Sequence, residues 1–303
     1  MACFSPLKGW RAKELNASGK RGIVFTRSRG YVDQPVELPC GQCIGCRLER
    51  SRQWAMRCVH EAQMHDENIF VTLTYDNDHL PEDRSLVYRD YQLFMKKLKK
   101  KFGGKSIRFY MAGEYGEQFG RPHYHACFFG FDFPDKVLWK MERENPLYTS
   151  EILTKVWGKG FCSIGGVTFQ SAAYVARYIM KKVTGELAAD HYEWVDPETG
   201  EIHQRRPEFT NMSRRPGVGA GWFQKFQKDV FPDDFVVVNG KKVTPPRFYT
   251  NQYEVLYPEE VAAIKRRRKK RAAKRSADST PARLAVRQKV LESRLTQLKR
   301  TLE

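Results

Sequence analysis

Two histidines separated by a single residue are the strongest chemical signal in this sequence. His123 and His125 lie in the strand-like run RPHYHACFFG, residues 121–130, and side chains two apart in a strand project from the same face. Two imidazoles placed in this way can hold a divalent metal ion that lacks one or two further ligands. Glu114, on the preceding predicted strand, is the expected third ligand, and Glu117 in the connection is the alternative. A pair of half-exposed histidines that binds nothing is the simpler interpretation.

A second pattern places two phenols and an amine along one face of a predicted helix. Tyr174, Tyr178 and Lys182 are spaced by four residues, which aligns their side chains. A phenol attacks phosphorus efficiently only when the charge of the transition state is shared, and a metal ion and a lysine nearby would share it. Such a spacing alone is more often packing than catalysis. Beside a histidine pair in a basic protein, we interpret the tyrosines as nucleophiles.

The charge of the chain indicates a polyanionic partner. The 303 residues include 53 Lys and Arg against 35 Asp and Glu, a formal net charge of +18. Basic runs occur at 96–101 and at 265–275, and such excess usually neutralises phosphates. For the run at 96–101, a solvated helix face is an equally good interpretation.

The composition excludes two classes of protein. Hydrophobic residues make up 41% and aromatic residues 13%, which excludes a wholly disordered chain. No apolar run approaches the ~20 residues of a membrane-spanning helix, which excludes an integral membrane protein. The first residues lack the layout of a secretory signal, so we expect the protein in the cytoplasm.

The cysteines predict a structural metal site more strongly than disulfides. Seven cysteines is an odd number, and Cys40, Cys43 and Cys46 are each three apart, a spacing that suits tetrahedral zinc. Zinc needs four ligands, and we take Cys3 as the fourth. The other candidates for that position are Cys58 and His60. Buried thiols that stabilise a turn are the alternative without a metal.

The remaining patterns predict a compact α+β unit. Helices are expected over 46–64, 88–102, 150–157 and 171–183. Strands are expected over 68–75, 107–115, 121–131 and 161–168. An exposed hairpin is expected over 192–203, and from 258 onward the chain is predicted to be helical and highly charged.

Three motifs in this order resemble the HUH endonuclease superfamily of rolling-circle replication initiators. The run FVTLT at 70–74 is similar to the first motif, the pair His123 and His125 to the second, and the pair Tyr174 and Tyr178 to the third. The paired tyrosines are similar to those of initiators from microviruses, the small icosahedral single-stranded DNA phages.

Two flanking runs resemble the gokushovirus branch of these phages. They are PCGQCIGC at 39–46 and MSRRPG at 212–217, and the resemblance covers roughly residues 36–255. The superfamily usually has a bulky apolar residue between the two histidines. Tyr124 stands there in this chain, and we expect it to face the opposite side of the sheet.

The resemblance implies an α+β fold with an HUH-type core. That core is a central five-stranded antiparallel sheet flanked by helices, with the histidine strand central and the tyrosine helix packed across it. A basic helical C-terminal extension follows. The expected regions are 1–64 with the cysteine cluster and a helix, 65–185 as the nuclease core, 186–257 as an accessory DNA-contacting region, and 258–303 as the basic tail.

The resemblance also implies a nicking and joining cycle. Mg²⁺ or Mn²⁺ held by His123, His125 and Glu114 would polarise the scissile phosphate. One tyrosine would attack to give a 5′-phosphotyrosine and a free 3′-OH, and the second would later help to close the displaced strand into a circle. Lys182 would stabilise phosphate charge.

The implied partners are viral origin DNA, both duplex and single-stranded, and a host helicase and polymerase in the cytoplasm of a bacterium. A helicase is expected as a partner because no GxxxxGK[ST] sequence occurs. The basic residues expected to contact DNA are Arg121, Arg214, Arg215, Lys265, Arg266, Arg267 and Arg268.

Two alternatives remain open at this stage. A transposase or relaxase could use the same HUH core, although a relaxase usually carries its tyrosine upstream of the histidine motif and the order here is reversed. A basic DNA-packaging protein without catalysis is the other alternative. It leaves the joint presence of the three motifs as a coincidence.

Overall fold

The protein is described by a computed structural model that covers residues 3–17, 19–116, 120–142, 144–178, 188–196 and 199–297, with the backbone alone at 177 and 178. Its strands in chain order are β1 Leu7–Leu15, β2 Arg21–Val24, β3 Gly30–Leu38, β4 Asn68–Thr74, β5 Arg108–Tyr115, β6 Pro122–Phe129, β7 Val137–Glu142, β8 Asn145–Thr149, β9 Cys162–Gly166, β10 Glu193–Val195, β11 Ile202–Gln204, β12 Phe209–Met212, β13 Val236–Val238 and β14 Lys241–Val243. Its α-helices are α1 Ile44–Ala62, α2 Tyr88–Lys101, α3 Glu151–Trp157, α4 Phe169–Tyr178, α5 Ala188–Tyr192, α6 Ala220–Val230, α7 Arg247–Leu256, α8 Pro258–Ala273 and α9 Pro281–Gln297. Among these helices of the described chain, none is long and apolar enough to cross a membrane.

The chain forms two compact units. One contains the residues up to Arg50 together with those from Glu259 onward, and the other spans Ser51–Pro258. In the first unit, β2, β1 and β3 form an antiparallel sheet in that order. The same unit includes α8 and α9, the expected basic helical extension.

The charge pattern of α8 explains why so basic a segment is helical. Proline at its first position has a backbone angle suited to a helix start. Glu259 and Glu260 lie in its first turn, and Lys270 and Arg271 in its last turn. Acidic residues near the start of a helix and basic residues near its end both interact favourably with the helix dipole.

The second unit confirms the α+β fold class, with a larger sheet than expected. Within the described residues its main sheet has seven strands, in the order β12-β5-β6-β4-β9-β8-β7, instead of five. The sheet pairings are antiparallel throughout. The histidine strand β6 is an interior strand between β5 and β4, while β4 occupies the middle position. The added strands are the β7–β8 hairpin at one edge and the short β12 at the other.

Strict alternation along the strands gives this sheet two different faces. One face packs under α2 and α3 and carries Tyr124 in a large apolar core. As expected, the Tyr124 ring lies on the face opposite the histidines, and its hydroxyl contacts the Tyr75 hydroxyl and the Val87 backbone at 2.9 Å. The other face packs against α1 and α4 through a second core, and it is the face that carries the histidines.

His60 on α1 is buried against two other helices of the second unit. Its ring stacks on Trp222 with 3.7 Å between centroids, and Nδ1 lies 2.9 Å from the Tyr249 hydroxyl. Burial lowers the pKa of His60 to about 4. This position explains why a residue considered as a zinc ligand serves instead in the packing of α1.

We expect the buried His60 to make stability depend on pH. The unfolded histidine binds a proton below about pH 6.5, whereas the folded one stays neutral down to about 4. Stability is therefore complete above pH 6.5 and is lost as the pH falls toward 4. Between pH 7.5 and 5 this histidine contributes a loss of roughly 2 kcal/mol in the free energy of unfolding. Urea unfolding should show that His60→Gln reduces this loss.

The readout is the difference between the two pH values, because His60→Gln also removes a stacked ring and lowers stability at every pH. The exposed His191 provides the matched control, and His191→Gln should retain the full pH dependence. An unchanged pH dependence in His60→Gln would contradict the explanation.

Candidate metal and nucleophile site

The register of two neighbouring strands brings the predicted metal ligands together. Glu114 on β5 lies directly opposite His123 on β6, and Ala112 lies opposite His125. Residues directly opposite each other in an antiparallel pair share one face of the sheet. Because Ala112 has a small side chain, the space beside His125 is left to Glu114.

The distances within this group fit a bound cation. Nδ1 of His123 lies 3.0 Å from the carbonyl oxygen of Arg121, which only accepts hydrogen bonds, so this nitrogen carries the hydrogen. Nε2 of the same ring faces Glu114 Oε1 at 2.7 Å, and Nε2 of His125 lies 2.9 Å from that same oxygen. Electron-rich atoms at these distances repel one another unless a proton or a metal ion lies among them. Imidazole nitrogen and carboxylate oxygen are both good ligands for divalent metals.

The site is buried on one side and accessible on the other. Glu114 is 1% exposed and His125 6% exposed, while His123 is partly accessible. Burial raises the pKa of the Glu114 carboxyl, but hydrogen bonds from His123 and His125 outweigh this effect and leave the pKa below its usual range. The carboxylate is therefore the charged form, and His123 is the side from which a phosphate can approach.

The first sequence motif supports His125 from the other neighbouring strand. Thr72 on β4 lies opposite His125, and its hydroxyl is 3.0 Å from Nδ1. The Phe70 ring, two residues earlier on the same face, stacks against the His125 ring at 5.5 Å. A partner on the second nitrogen orients a metal-binding imidazole. These roles were not assigned from the sequence, although the alternation of FVTLT already places Phe70 and Thr72 on one face.

Helix α4 brings Tyr174 to the same site. Its ring meets the His125 ring edge-on, with centroids 5.1 Å apart, and lies 6.5 Å from Phe70. The helix approaches the sheet closely because Ala172, Val175 and Ala176 are fully buried against it. Tyr178 ends α4, and its side chain lies outside the described residues, as do Lys182 and Glu117.

The residues predicted to contact DNA have different surroundings. The Arg121 guanidinium donates to the Tyr75 carbonyl at 2.8 Å and to Asn77 Oδ1 at 2.6 Å, so it also fastens the end of β4. Arg214 and Arg215 are exposed in the loop after β12. The remaining four, Lys265, Arg266, Arg267 and Arg268, lie on α8 in the other unit. Their contacts with DNA remain predictions.

Four thiols come together in the first unit. The sulfurs of Cys3, Cys40, Cys43 and Cys46 all lie within 4.8 Å of one another. Cys3 Sγ is 3.7 Å from Cys40 Sγ and 3.9 Å from Cys43 Sγ. A tetrahedron with metal–sulfur bonds of about 2.3 Å has sulfur–sulfur edges of about 3.8 Å. Cys3 is thus the thiol that joins the clustered three.

Backbone amides surround this cluster as they would surround thiolates. The N–H groups of Phe4, Cys40 and Cys43 each point at a cysteine sulfur at 3.3 Å. Burial raises the pKa of the Cys43 thiol, but these and neighbouring hydrogen bonds prevail and lower the pKa to about 6. Cys58, the other cysteine considered as a ligand, is fully buried in the second unit beside Cys127.

The sequence of the chain is similar to a set of phage proteins. The family model for the replication-associated protein ORF2 matches residues 68–183, the stretch from β4 to beyond the tyrosine helix. Replication-associated protein VP4 of Bdellovibrio phage phiMH2K is 35% identical over 270 residues, which cover 86% of this chain and 79% of that protein. Replication-associated protein ORF2 of Spiroplasma virus 4 is 30% identical over 298 residues, covering 91% and 88%.

Replication-associated protein ORF4 of Chlamydia phage 1 is 31% identical over 232 residues, which cover 74% of this chain and 55% of that protein. No solved structure matches the chain. The extent of the similarity to the first two proteins confirms the resemblance drawn from the three motifs. The chain belongs to the family of replication-associated proteins of microvirus-like phages.

Proposed function

We propose that the protein starts rolling-circle replication by cutting one strand at the viral origin and later joining the ends of the displaced strand. One observation carries the proposal. The Tyr174 ring lies 5.1 Å from the ring of His125, within the group formed by Glu114, His123 and His125. A phenol beside a cation site, in a protein of charge +18, suits attack on a DNA phosphate.

His123, His125 and Glu114 would hold Mg²⁺ or Mn²⁺, which when bound draws electron density from a phosphate oxygen. Mn²⁺ accepts imidazole nitrogen more readily than Mg²⁺ does, so we expect it to support cleavage at lower concentration. Thr72 and the Arg121 carbonyl keep both Nε2 atoms directed toward Glu114. The site is therefore organised before DNA arrives.

The cutting step exchanges one phosphoester for another. The tyrosine oxygen bonds to phosphorus, the bond from phosphorus to the 3′ oxygen breaks, and the 3′ oxygen leaves as a hydroxyl. The proton lost by the phenol balances the one gained by that hydroxyl. Because no water is consumed, the energy of the phosphoester is retained and the reaction can run backward as joining.

Two tyrosines allow the protein to remain attached while it cuts again. Tyr178 follows Tyr174 by four residues on α4, one helical turn later. After a round of synthesis the second tyrosine would cut the regenerated junction, and the released 3′-OH would displace the first tyrosine to close the circle. Lys182, in the same spacing, would share the phosphate charge.

The chemistry of the product ends tests this proposal. An origin strand labelled at its 5′ end should give, with Mn²⁺, a shortened product whose 3′-OH a polymerase can extend. The other fragment should be bound to protein through its 5′ phosphate. Release of both fragments free of protein would show hydrolysis and would overturn the proposal.

A transposase or relaxase would also make a phosphotyrosine. The full-length similarity to phage replication-associated proteins favours the replication initiator, which acts with a host helicase and polymerase in the bacterial cytoplasm. A packaging protein without catalysis would leave the Tyr174 ring and the Glu114–histidine group as packing features alone.

The second metal centre is proposed to be structural zinc bound by Cys3, Cys40, Cys43 and Cys46. The sulfur spacing is close to that of a zinc tetrathiolate, and the amides directed at sulfur would stabilise the charge of thiolate ligands. This zinc would tie the start of the chain to the beginning of α1. It has no part in the cutting step.

Replacing Cys40 by serine should remove the zinc. We expect the wild type to contain about one zinc per chain after purification and Cys40→Ser to contain almost none, because three thiolates and a hydroxyl bind zinc far more weakly. Elemental analysis measures this directly, and limited proteolysis should show faster cleavage before Ile44. Cys162→Ala is the matched control, since it removes a buried thiol of the other unit. Equal zinc in wild type and Cys40→Ser would contradict the site.

A further inference from the structure

An aromatic pair is exposed at the edge of the main sheet. Trp139 on the edge strand β7 and Phe161, just before β9, lie with ring centroids 4.8 Å apart. Trp139 is 48% exposed and Phe161 46% exposed, which is unusual for a pair of large apolar rings in contact. Exposed apolar patches of this kind mark interaction sites more often than chance.

The backbone places Phe161 on the face that carries the histidines. Its carbonyl accepts hydrogen bonds from the Thr74 N–H at 3.0 Å and from the Thr74 hydroxyl at 2.8 Å. Thr74 lies directly opposite His123. The next residue, Cys162, is buried in the core of the other face, so alternation directs the Phe161 ring to the histidine face. Two strand spacings, or about 10 Å, separate Phe161 from His123 along the backbone.

Two local features fix this arrangement. Gly160 has a φ of +139°, and a Cβ there would lie 2.4 Å from the Asp76 nitrogen, so only glycine lets the chain approach β4 so closely. On β7 the pairing register shifts between Leu138 and Lys140. Such a bulge re-aims a side chain, and the residue at this bulge is Trp139.

We propose that Trp139 and Phe161 form a platform on which bases of single-stranded DNA stack beside the scissile phosphate. The inference rests on the proposed function, which puts a DNA strand at His123. Aromatic rings bind unpaired bases of any sequence through their faces. The Lys140 ammonium lies 4.5 Å from the centre of the Trp139 ring, and it adds a positive charge where the DNA backbone would pass.

Abasic DNA separates stacking from attraction to phosphates. The full-length protein, without added divalent metal so that no strand is cut, is titrated with a labelled oligothymidine strand of about 20 nucleotides and with an abasic strand of equal length. Fluorescence anisotropy gives the two dissociation constants. We expect the wild type to bind the abasic strand about tenfold more weakly.

The double variant Trp139→Ala with Phe161→Ala should bind oligothymidine about tenfold more weakly than wild type and bind the abasic strand equally well. The conservative pair Trp139→Phe and Phe161→Tyr should restore base-dependent binding. The matched control is Val137→Ala with Leu138→Ala, two exposed apolar residues of the same strand, which should change neither constant.

Three results would overturn the platform. They are unchanged binding of oligothymidine by the double variant, an equal loss for both strands, and a change in sedimentation that shows the rings to be a protein interface. The proposed function can fail separately. Base-dependent binding through these rings without any covalent adduct leaves the platform and removes the nickase, whereas an adduct with no effect of the ring variants does the reverse.

Discussion

Replacing Glu114 by alanine is expected to lower the rate of origin cleavage at least ~100-fold at a fixed, low Mn²⁺ concentration. Both Nε2 atoms of the histidine pair lie within 2.9 Å of one Glu114 oxygen, so the carboxylate supplies the charge that joins the two imidazoles into one site. Without it, two neutral rings would hold a divalent ion weakly. Single-turnover cleavage measured across a titration of Mn²⁺ should show a much higher half-saturating concentration for Glu114→Ala.

A rise in the metal requirement distinguishes loss of a ligand from loss of folding. Glu208→Gln is the matched control, because Glu208 is also a buried carboxylate of this unit, bonded at 2.5 Å to the Tyr192 hydroxyl. It should keep the wild-type dependence on Mn²⁺. Cleavage by Glu114→Ala at the wild-type rate and the same Mn²⁺ concentration would contradict the assignment of this carboxylate.

The central strands were predictable because their pattern is local. β4, β5, β6 and β9 are apolar, β-branched or aromatic runs bounded by turn residues, and each lies within the range expected from the sequence. The fourth helical prediction, over 171–183, corresponds to α4 only as far as the described residues extend. Alternation also predicted correctly that Tyr124 faces away from the histidines.

The outer strands could not be predicted in the same way. β12 has four residues of partial burial and exists because it pairs with β5. β7 exposes Val137, Leu138 and Met141 along with its tryptophan, so it lacks the alternation of a half-buried strand. Such elements depend on partners distant in sequence, and a local pattern does not show those partners.

The candidate site divides along the same line. The pair His123 and His125 could be found from a spacing of two, and Glu114 from its place on the preceding strand. The hydroxyl of Thr72 and the ring of Phe70 could not be assigned, because their contact with His125 depends on how β4 aligns with β6. The same holds for the platform, since Trp139 and Phe161 are brought together only by the order of strands at the sheet edge.

Removal of both phenols is expected to abolish covalent attachment to DNA. Tyr174→Phe and Tyr178→Phe should each still form an adduct, since either phenol can attack, while the double variant should fall by about 10³-fold or more. Phenylalanine retains the ring, so the contact of Tyr174 with His125 is kept and only the nucleophile is lost. Tyr257→Phe, at an exposed tyrosine, is the matched control.

The most direct test is a denaturing gel of the full chain with labelled origin strand and Mn²⁺, with wild type, the two single variants, the double variant and Tyr257→Phe side by side. We predict a shifted protein–DNA band in every lane except that of the double variant. A band of wild-type intensity in the double variant would contradict the central claim that these tyrosines are the nucleophiles, as would the absence of a band in the wild type.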